Sequence, residues 1–301
     1  MSRFFWPAVI LCIILFAACG EDDEDSGGDG NSGLRVVTTL PLFADLIENV
    51  GGDSVDVTAL LPSGADPHTF EPAPRDVAVL ENADIVFVNG RDLEPAALNV
   101  IEPNLPEGVP LVGLAEEAEA AGVEVRAGDP HLWMNPDNAM IYAQVIRDQL
   151  ALLDAENAAA YEANYDAYAA TLSDLGEEMV VTVEAAAAEN RKLITTHDAF
   201  GYLAEFLGFA ITAFVAEGPG QDASPSDIAA IVEAIEDGGV PAVFTEPQIS
   251  GESETLEQAA ADAGAEICRL YSDAFDDEVT TYEEMMRFNA DELARCLGGA
   301  E

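Results

Sequence analysis

The stretch AENAAAYEANYDAYAATLSDLGEEMVVTVEAAAAEN, residues 155–190, is rich in Ala, Glu, Leu and Tyr and contains no Pro. Such a composition favours an α-helix. At a rise of ~1.5 Å per residue, a helix of about 30 residues would be ~45 Å long, which exceeds the width of one small domain. The stretch therefore predicts a long, rigid helix that joins two lobes, and we assign residues 154–190 to it.

Short β-rich segments alternate with helical patterns on both sides of this connector. Strands that alternate with helices indicate parallel pairing. The predicted fold is therefore α/β, with an N-terminal lobe over residues 34–153 and a C-terminal lobe over residues 191–301. The expected strands lie in LRVVTTL (34–40), VDVTALLP (55–62), DIVFVNG (84–90) and VPLVGL (109–114), and then in RKLITTH (191–197), FAITAFVA (209–216), VPAVFTEPQI (240–249) and EICRLYSDAF (266–275).

The first residues indicate export. Residues 1–18 hold one Arg and an apolar run of about 15 residues, shorter than the ~20 that a membrane span needs, so we interpret them as a signal peptide. The end of this segment, LFAAC, resembles a bacterial lipobox with Cys19 as the lipidated residue. Because Phe16 replaces the usual Leu, cleavage by the ordinary signal peptidase and an uncleaved anchor are alternatives. Acidic, Gly-rich residues 19–33 predict a flexible tether to a bacterial membrane, in the periplasm or at the cell surface.

Charge and cysteine content narrow the function classes. The chain has 58 acidic and 11 basic residues, which give a formal charge of -47. Such a charge repels nucleic acid, so nucleic acid is not expected to be a partner. A hydrophobic share of 49% still allows a buried core. In an oxidising compartment Cys268 and Cys296 form an even pair for one disulfide, with two buried thiols as the alternative.

The chain has three histidines, and all of them lie in loop-like contexts. They are His68 in PSGADPHTFEP, His131 in GDPHLWMNPDN and His197 in LITTHDAFGYL, and each is expected to follow or end a strand, where open α/β sheets place ligand groups. The separations are too long for a local zinc finger or ribbon. A shared metal site would therefore have to be assembled by the fold, in the cleft between the lobes. Singly, each histidine could equally be a surface or structural residue.

A closed zinc site has about four ligands, and the fourth is expected to be an acid at a strand end of the second lobe. Asp273 in CRLYSDAF is in that position, although it could also be an ordinary solvated carboxylate. The sequence has no HExxH pair, nucleophile elbow, P-loop or dinucleotide fingerprint. A hydrolase would have to use His197 and Asp198 with a distant Ser, or a catalytic zinc with Glu71 as base.

Five motifs stand in order along the chain: LLPSGADPHTFEPAPRD (60–76), DPHLWMNP (129–136), TTHDAFGYL (195–203), FTEPQIS (244–250) and LYSDAF (270–275). After a lipobox, they resemble the zinc-type metal-binding solute-binding lipoproteins of zinc and manganese ABC importers. The resemblance runs from about residue 34 to the C-terminus. It implies two (β/α)4-like lobes bridged by one long helix, with a metal in the cleft held by His68, His131, His197 and Asp273.

The resemblance also bears on the metal. Members that resemble zinc carriers tend to have His at the third ligand position, where many manganese carriers have Glu, so His197 favours Zn²⁺, with Mn²⁺ as the alternative. The segment EEAEAAGVEVRAGD (116–129) lacks the His-rich loop of many zinc carriers. Trp133 and Pro136 are expected to pack their loop rather than to touch metal.

The resemblance implies a function without covalent chemistry. The chain is expected not to be an enzyme, but to be a monomer that captures a divalent metal and delivers it to an ABC importer permease in the membrane. The long connecting helix separately predicts that the lobes move little on binding. A surface adhesin is the alternative within the family. Related zinc carriers can have a disulfide from a C-lobe strand to the last helix. Cys296 fits the helix partner, whereas Cys268 lies on a different strand from the one expected.

Overall fold

The computed structural model describes residues 33–216 and 224–298, together with Met1 and Gly218. The predicted signal peptide, the lipidation site Cys19 and the tether up to residue 32 lie outside these residues. Within the described ranges, no helix is long and apolar enough to span a bilayer.

The first half of the chain forms a four-stranded parallel sheet in the order β2-β1-β3-β4. One of its two central strands, β3, is buried along its whole length, as expected of the apolar sequence IVFV. The strands are β1 Leu34–Thr38, β2 Val55–Ala59, β3 Ile85–Val88 and β4 Leu111–Gly113, and the helices are α1 Pro41–Gly51, α2 Pro74–Val77, α3 Pro95–Asn104 and α4 Leu114–Ala120.

Two helices of this lobe differ from expectation. The pattern PRDVAVLENA predicted one helix, but only Pro74–Val77 is α-helical and Ala78–Asn82 continues as a 3₁₀ turn. The hydrophobic spacing of the sequence did not predict α3, which begins at Pro95 and has Pro103 near its end. Proline at a first turn is compatible with a helix because that turn has no backbone acceptor for its N–H.

Two long helices follow, α5 Pro136–Leu153 and α6 Ala158–Thr182. The connector α6 has 25 residues, fewer than the predicted 30 or so, and spans ~37 Å. Its end coincides with the β-branched run Val180–Val183, which lowers helix propensity, and a 3₁₀ turn follows. It packs against α1, α5 and α10 (Tyr282–Leu297), and therefore touches elements from both ends of the chain.

The second half repeats the first. Its parallel sheet has the order β6-β5-β7-β8, the same pattern as in the first sheet. The strands are β5 Lys192–His197, β6 Ala210–Ala216, β7 Ala242–Thr245 and β8 Glu266–Arg269, and the helices before α10 are α7 Gly201–Leu207, α8 Pro225–Glu236 and α9 Ser250–Ala263. The predicted architecture of two α/β lobes with a long helix between them is confirmed.

Two local predictions in this lobe are also confirmed. Ser224 caps α8: its side chain accepts a bond from Asp227 N, and the Asp227 carboxylate accepts one from Ser224 N. Cys268 on β8 and Cys296 on α10 form a disulfide, so the last helix is covalently attached to the edge strand of the second sheet.

Candidate metal centre

Three imidazoles and one carboxylate meet where the two lobes face each other. His68 Nε2 and His131 Nε2 are 3.3 Å apart. Asp273 Oδ2 lies 3.7 Å from His68 Nε2 and 3.5 Å from His197 Nε2, and its Oδ1 lies 3.4 Å from His131 Nε2. A tetrahedral cation with bonds of ~2.0–2.2 Å separates its ligand atoms by about 3.3–3.6 Å. The four groups are thus spaced as the ligands of one small cation.

His197 is the last residue of β5 and is completely buried. Its Nδ1 lies 2.9 Å from Glu246 Oε1. Glu246 directly follows β7, the neighbour of β5 in the sheet, so the parallel register brings these two strand ends together. The hydroxyls of Thr196 and Ser272 donate to the same carboxylate. This bonding fixes the ring, with Nδ1 toward Glu246 and Nε2 toward the site.

His131 does not follow a strand, and that part of the prediction is wrong. It comes after α4 and the irregular residues 121–130, and precedes a 3₁₀ turn. Its Nδ1 lies 2.9 Å from Asp129 Oδ1, which also accepts the His131 backbone N–H at 3.0 Å. Asn89, just after β3, donates from Nδ2 to Pro130 O at 3.0 Å. The Asn89 side chain therefore fastens the loop of His131 to the carboxyl edge of the first sheet, although no strand leads directly into this loop.

His68 lies in the loop after β2, where its backbone N–H donates to Asp66 Oδ1 at 2.9 Å. Its side chain is 15% exposed, whereas those of the other three residues are at most 2% exposed. Solvent therefore reaches the centre chiefly at His68.

Asp273 lies four residues beyond β8 and is buried. Its loop is held on both sides: Trp133 Nε1 donates to Ser272 O at 3.0 Å, and the Asn289 amide exchanges two bonds with the backbone of Tyr271, each 2.8 Å long. Trp133 also packs edge-on against the His131 ring, as expected of a loop-packing residue. In addition it carries a bond from the first lobe to the loop of Asp273.

Carboxylates and imidazoles in the centre shift each other's pKa. Burial by itself lowers the pKa of His197, but the Glu246 and Asp273 carboxylates outweigh it and raise that pKa well above its usual range. Burial by itself raises the pKa of Asp273, but His131, His197 and His68 hold that pKa well below its usual range. Carboxylates beside imidazoles stabilise a positive charge in this space, whether a proton or a metal ion supplies it.

Several polar atoms here lack a hydrogen bond within the described part of the chain, namely His197 Nε2 and both carboxylate oxygens of Asp273. Buried polar atoms are almost always satisfied, since an unpaired one costs roughly 1–3 kcal/mol. The imidazole rings of His131 and His197 each face a carboxylate through Nδ1, so the Nε2 lone pair of each ring is directed into the site. These residues fit a divalent cation with nitrogen and oxygen ligands.

The structure brings together all four predicted ligands, and it adds supporting residues that the sequence reasoning missed. The sequence motifs do not by themselves assign a role to Glu246, Asn89 or Ser272. Glu246 and Ser272 lie inside the motifs FTEPQIS and LYSDAF. The position of Glu246 after one strand and of His197 at the end of another is the signal that could have suggested their contact. Nothing local distinguishes Asn89.

Comparison with known proteins places this geometry in a family. The model "Zinc-uptake complex component A periplasmic" (ZnuA) matches residues 36–296. The manganese-binding lipoprotein MntA of Halalkalibacterium halodurans is 32% identical over 99% of both chains, and the iron-binding protein YfeA of Yersinia pestis is 29% identical over 99% of this chain and 98% of its own. The solved periplasmic zinc-binding protein TroA of Treponema pallidum superposes with a TM-score of 0.81 at 26% identity, covering 89% of this chain and all of its own. The chain therefore belongs to the ZnuA family, the metal-binding substrate-binding proteins of ABC transporters.

Proposed function

We propose that the protein captures Zn²⁺ outside the cytoplasmic membrane through His68, His131, His197 and Asp273, and delivers it to the permease of an ABC importer. One observation carries this proposal: four side chains from both lobes place their ligand atoms within 4.8 Å of one another, and three of these side chains are buried. An uncompensated cluster of this kind is costly unless a cation occupies it.

Zinc is favoured over manganese by the ligand chemistry. Three imidazole nitrogens and a single carboxylate suit a borderline cation such as Zn²⁺, whereas Mn²⁺ prefers oxygen ligands. Manganese is the second candidate, because the MntA relative is named for it. Competition between Zn²⁺ and Mn²⁺ for the purified protein distinguishes the two.

Location and partners follow from the same proposal. Removal of residues 1–18 and lipidation of Cys19 would leave the mature protein, as a monomer, on the outer face of a membrane, attached through the acidic residues 19–33. There it can meet a permease after each capture.

Hydrolysis finds little support in the site. Glu71, the base that a catalytic zinc would need, is exposed. The partner of His197 Nδ1 is Glu246 rather than the adjacent Asp198. Ser272 donates to that same Glu246, so its hydroxyl is not directed at an imidazole as a nucleophile would be.

The test is metal analysis of the protein purified from its own host without added metal or chelator. We expect about one zinc per chain in the wild type and in Glu71→Gln, and little in His197→Ala. Glu71→Gln is the matched control because it changes an exposed carboxylate three residues from His68. One manganese per chain would support the second candidate, and full metal content in His197→Ala would contradict the proposed site.

A further inference from the structure

The loop that carries His131 touches the second lobe at α7. Arg126 N, in this loop, donates to the Tyr202 hydroxyl at 2.8 Å, and that hydroxyl lies 3.5 Å from Asp129 O. Tyr202 is the second residue of α7 and is buried. A buried phenol that accepts a backbone N–H from 76 residues away is a specific tertiary contact.

The side chain of Arg126 reinforces the same contact. Its Nε lies 3.6 Å from Asp129 Oδ2 in its own loop, and its Nη1 lies 3.3 Å from Glu205 Oε2 on α7. The guanidinium therefore bridges one carboxylate from each lobe. Because this side chain is 46% exposed, the contact lies at the edge of the interface and is open to water.

Gly201, the first residue of α7, makes this approach possible. A Cβ at Gly201 would lie 2.5 Å from Asp129 Oδ2 and 2.6 Å from Arg126 Nε. Both distances are far below van der Waals contact, so the Arg126 and Asp129 side chains can lie where they do because residue 201 has no side chain.

The contact joins the loop of one metal ligand, His131, to the helix that follows another, His197. Asp129, between Arg126 and His131, binds the His131 ring at Nδ1. On the other side, α7 begins four residues after His197, the end of β5. The contact between Tyr202 and Arg126 therefore lies close in the chain to one ligand of each lobe.

We propose that Tyr202 and Gly201, with Arg126, form a latch that holds the two lobes together over the bound metal and sets the rate at which the metal leaves. This inference rests on the proposed function. The ligands His131, His197 and Asp273 are almost inaccessible, and only His68 is partly exposed, so a cation leaves more readily once a contact between the lobes opens. Other bonds between the lobes, from Trp133 Nε1 to Ser272 O and from Tyr282 OH to Trp133 O, are buried. The Arg126 side chain of the latch is exposed to water, so of these contacts the latch is expected to open first.

Tyr202 is a positioning residue, since its hydroxyl bonds the loop backbone and not the ligands. Tyr202→Phe keeps the ring and removes the hydroxyl. We expect the release of Zn²⁺ to an excess of a fluorescent chelator to become about 5- to 10-fold faster, the effect of one lost hydrogen bond. Gly201→Ala adds a Cβ that crowds the Asp129 and Arg126 side chains. We expect this variant also to release Zn²⁺ faster. Tyr161→Phe is the matched control, because it removes a phenol bond to Asp154 at the turn between α5 and α6.

A second measurement separates a latch from a general loss of structure. The absorption spectrum of the Co²⁺-loaded protein reports the ligand set, and we expect it to be the same in wild type and Tyr202→Phe. Faster Zn²⁺ release with an unchanged Co²⁺ spectrum supports the latch. Unchanged release, equal acceleration in Tyr161→Phe, or an altered Co²⁺ spectrum would overturn it. If wild type and His197→Ala release Zn²⁺ alike, the proposed metal site itself fails, whatever Tyr202→Phe does.

Discussion

Glu246 holds His197 through a contact of 2.9 Å between Oε1 and Nδ1, at the ends of two neighbouring strands. Both side chains are fully buried, so this carboxylate both orients the ring and supplies negative charge to the centre. Neither residue is close to the other in sequence, and the pairing exists because β5 and β7 lie side by side.

Glu246→Gln is expected to weaken Zn²⁺ binding about 10- to 100-fold, the usual effect of losing a carboxylate behind a histidine ligand. The amide is neutral and cannot accept from Thr196, Ser272 and His197 as well as a carboxylate does. A competition titration with a chelator of known affinity measures the change. Glu292→Gln, which removes a carboxylate paired with Arg295 on α10, is the control, and equal affinities in all three proteins would refute the role of Glu246.

Asp273→Asn is expected to reduce Zn²⁺ affinity by at least about 100-fold, because it removes the one anionic ligand, and even residues behind ligands change affinity 10- to 100-fold. Isothermal titration calorimetry with competing chelator checks this. Asp276→Asn is a matched variant in the same loop, where the carboxylate accepts from Tyr271 OH at 2.6 Å. Similar losses in both variants would mean that loop structure, and not ligation, explains the effect.

Metal-free protein is expected to lose stability as pH rises from about 4.5 to about 7, partly because of Glu94. Burial raises the pKa of Glu94 to about 7, although bonds from Asn89 N and the Thr39 hydroxyl oppose this. Between the unfolded pKa and the folded one, the native state keeps a proton that the unfolded state has released. The stabilisation is therefore complete below pH 4.5 and is lost as pH rises through 7.

The Glu94 contribution is about 3 kcal/mol in the free energy of unfolding, from ~1.4 kcal/mol per pKa unit. Urea unfolding of metal-free wild type and Glu94→Gln at several pH values isolates it. As pH rises, the free energy of unfolding of the wild type should fall relative to that of Glu94→Gln. A difference that does not depend on pH would show that Glu94 titrates normally.

Replacing both Cys268 and Cys296 by Ser is expected to lower the free energy of unfolding by ~3 kcal/mol, since the bridge closes a loop between residues 28 apart. Zinc affinity should change little, because Trp133 and Asn289 hold the loop of Asp273 independently. Denaturant unfolding with and without reductant measures the effect. The double variant should not respond to reductant, and a large loss of zinc affinity would mean that the bridge positions Asp273.

Much of the architecture was predictable because local chemistry dictates it. The apolar run of β3, the cap at Ser224 and the Ala-rich connector each specify their element within a few neighbouring residues. The length of α6 was less predictable, since a β-branched run at its end is compatible with either a helix or a turn. The short α2 and the unexpected α3 contact each other and the 3₁₀ turn Ala78–Asn82, so neighbouring elements rather than periodicity account for them.

The sequence by itself determined which residue types were available for a metal: three histidines, in loops or at a strand end, and an acid after the last strand. Tertiary structure alone decided that Glu246 and Asp129 orient two of the rings, that Trp133 reaches Ser272, and that Tyr202 meets Arg126. The physical reason is distance along the chain. These contacts join residues brought together by parallel strand order and by the meeting of two lobes, except for Asp129 and His131, whose mutual orientation depends on how their loop is fastened at Asn89.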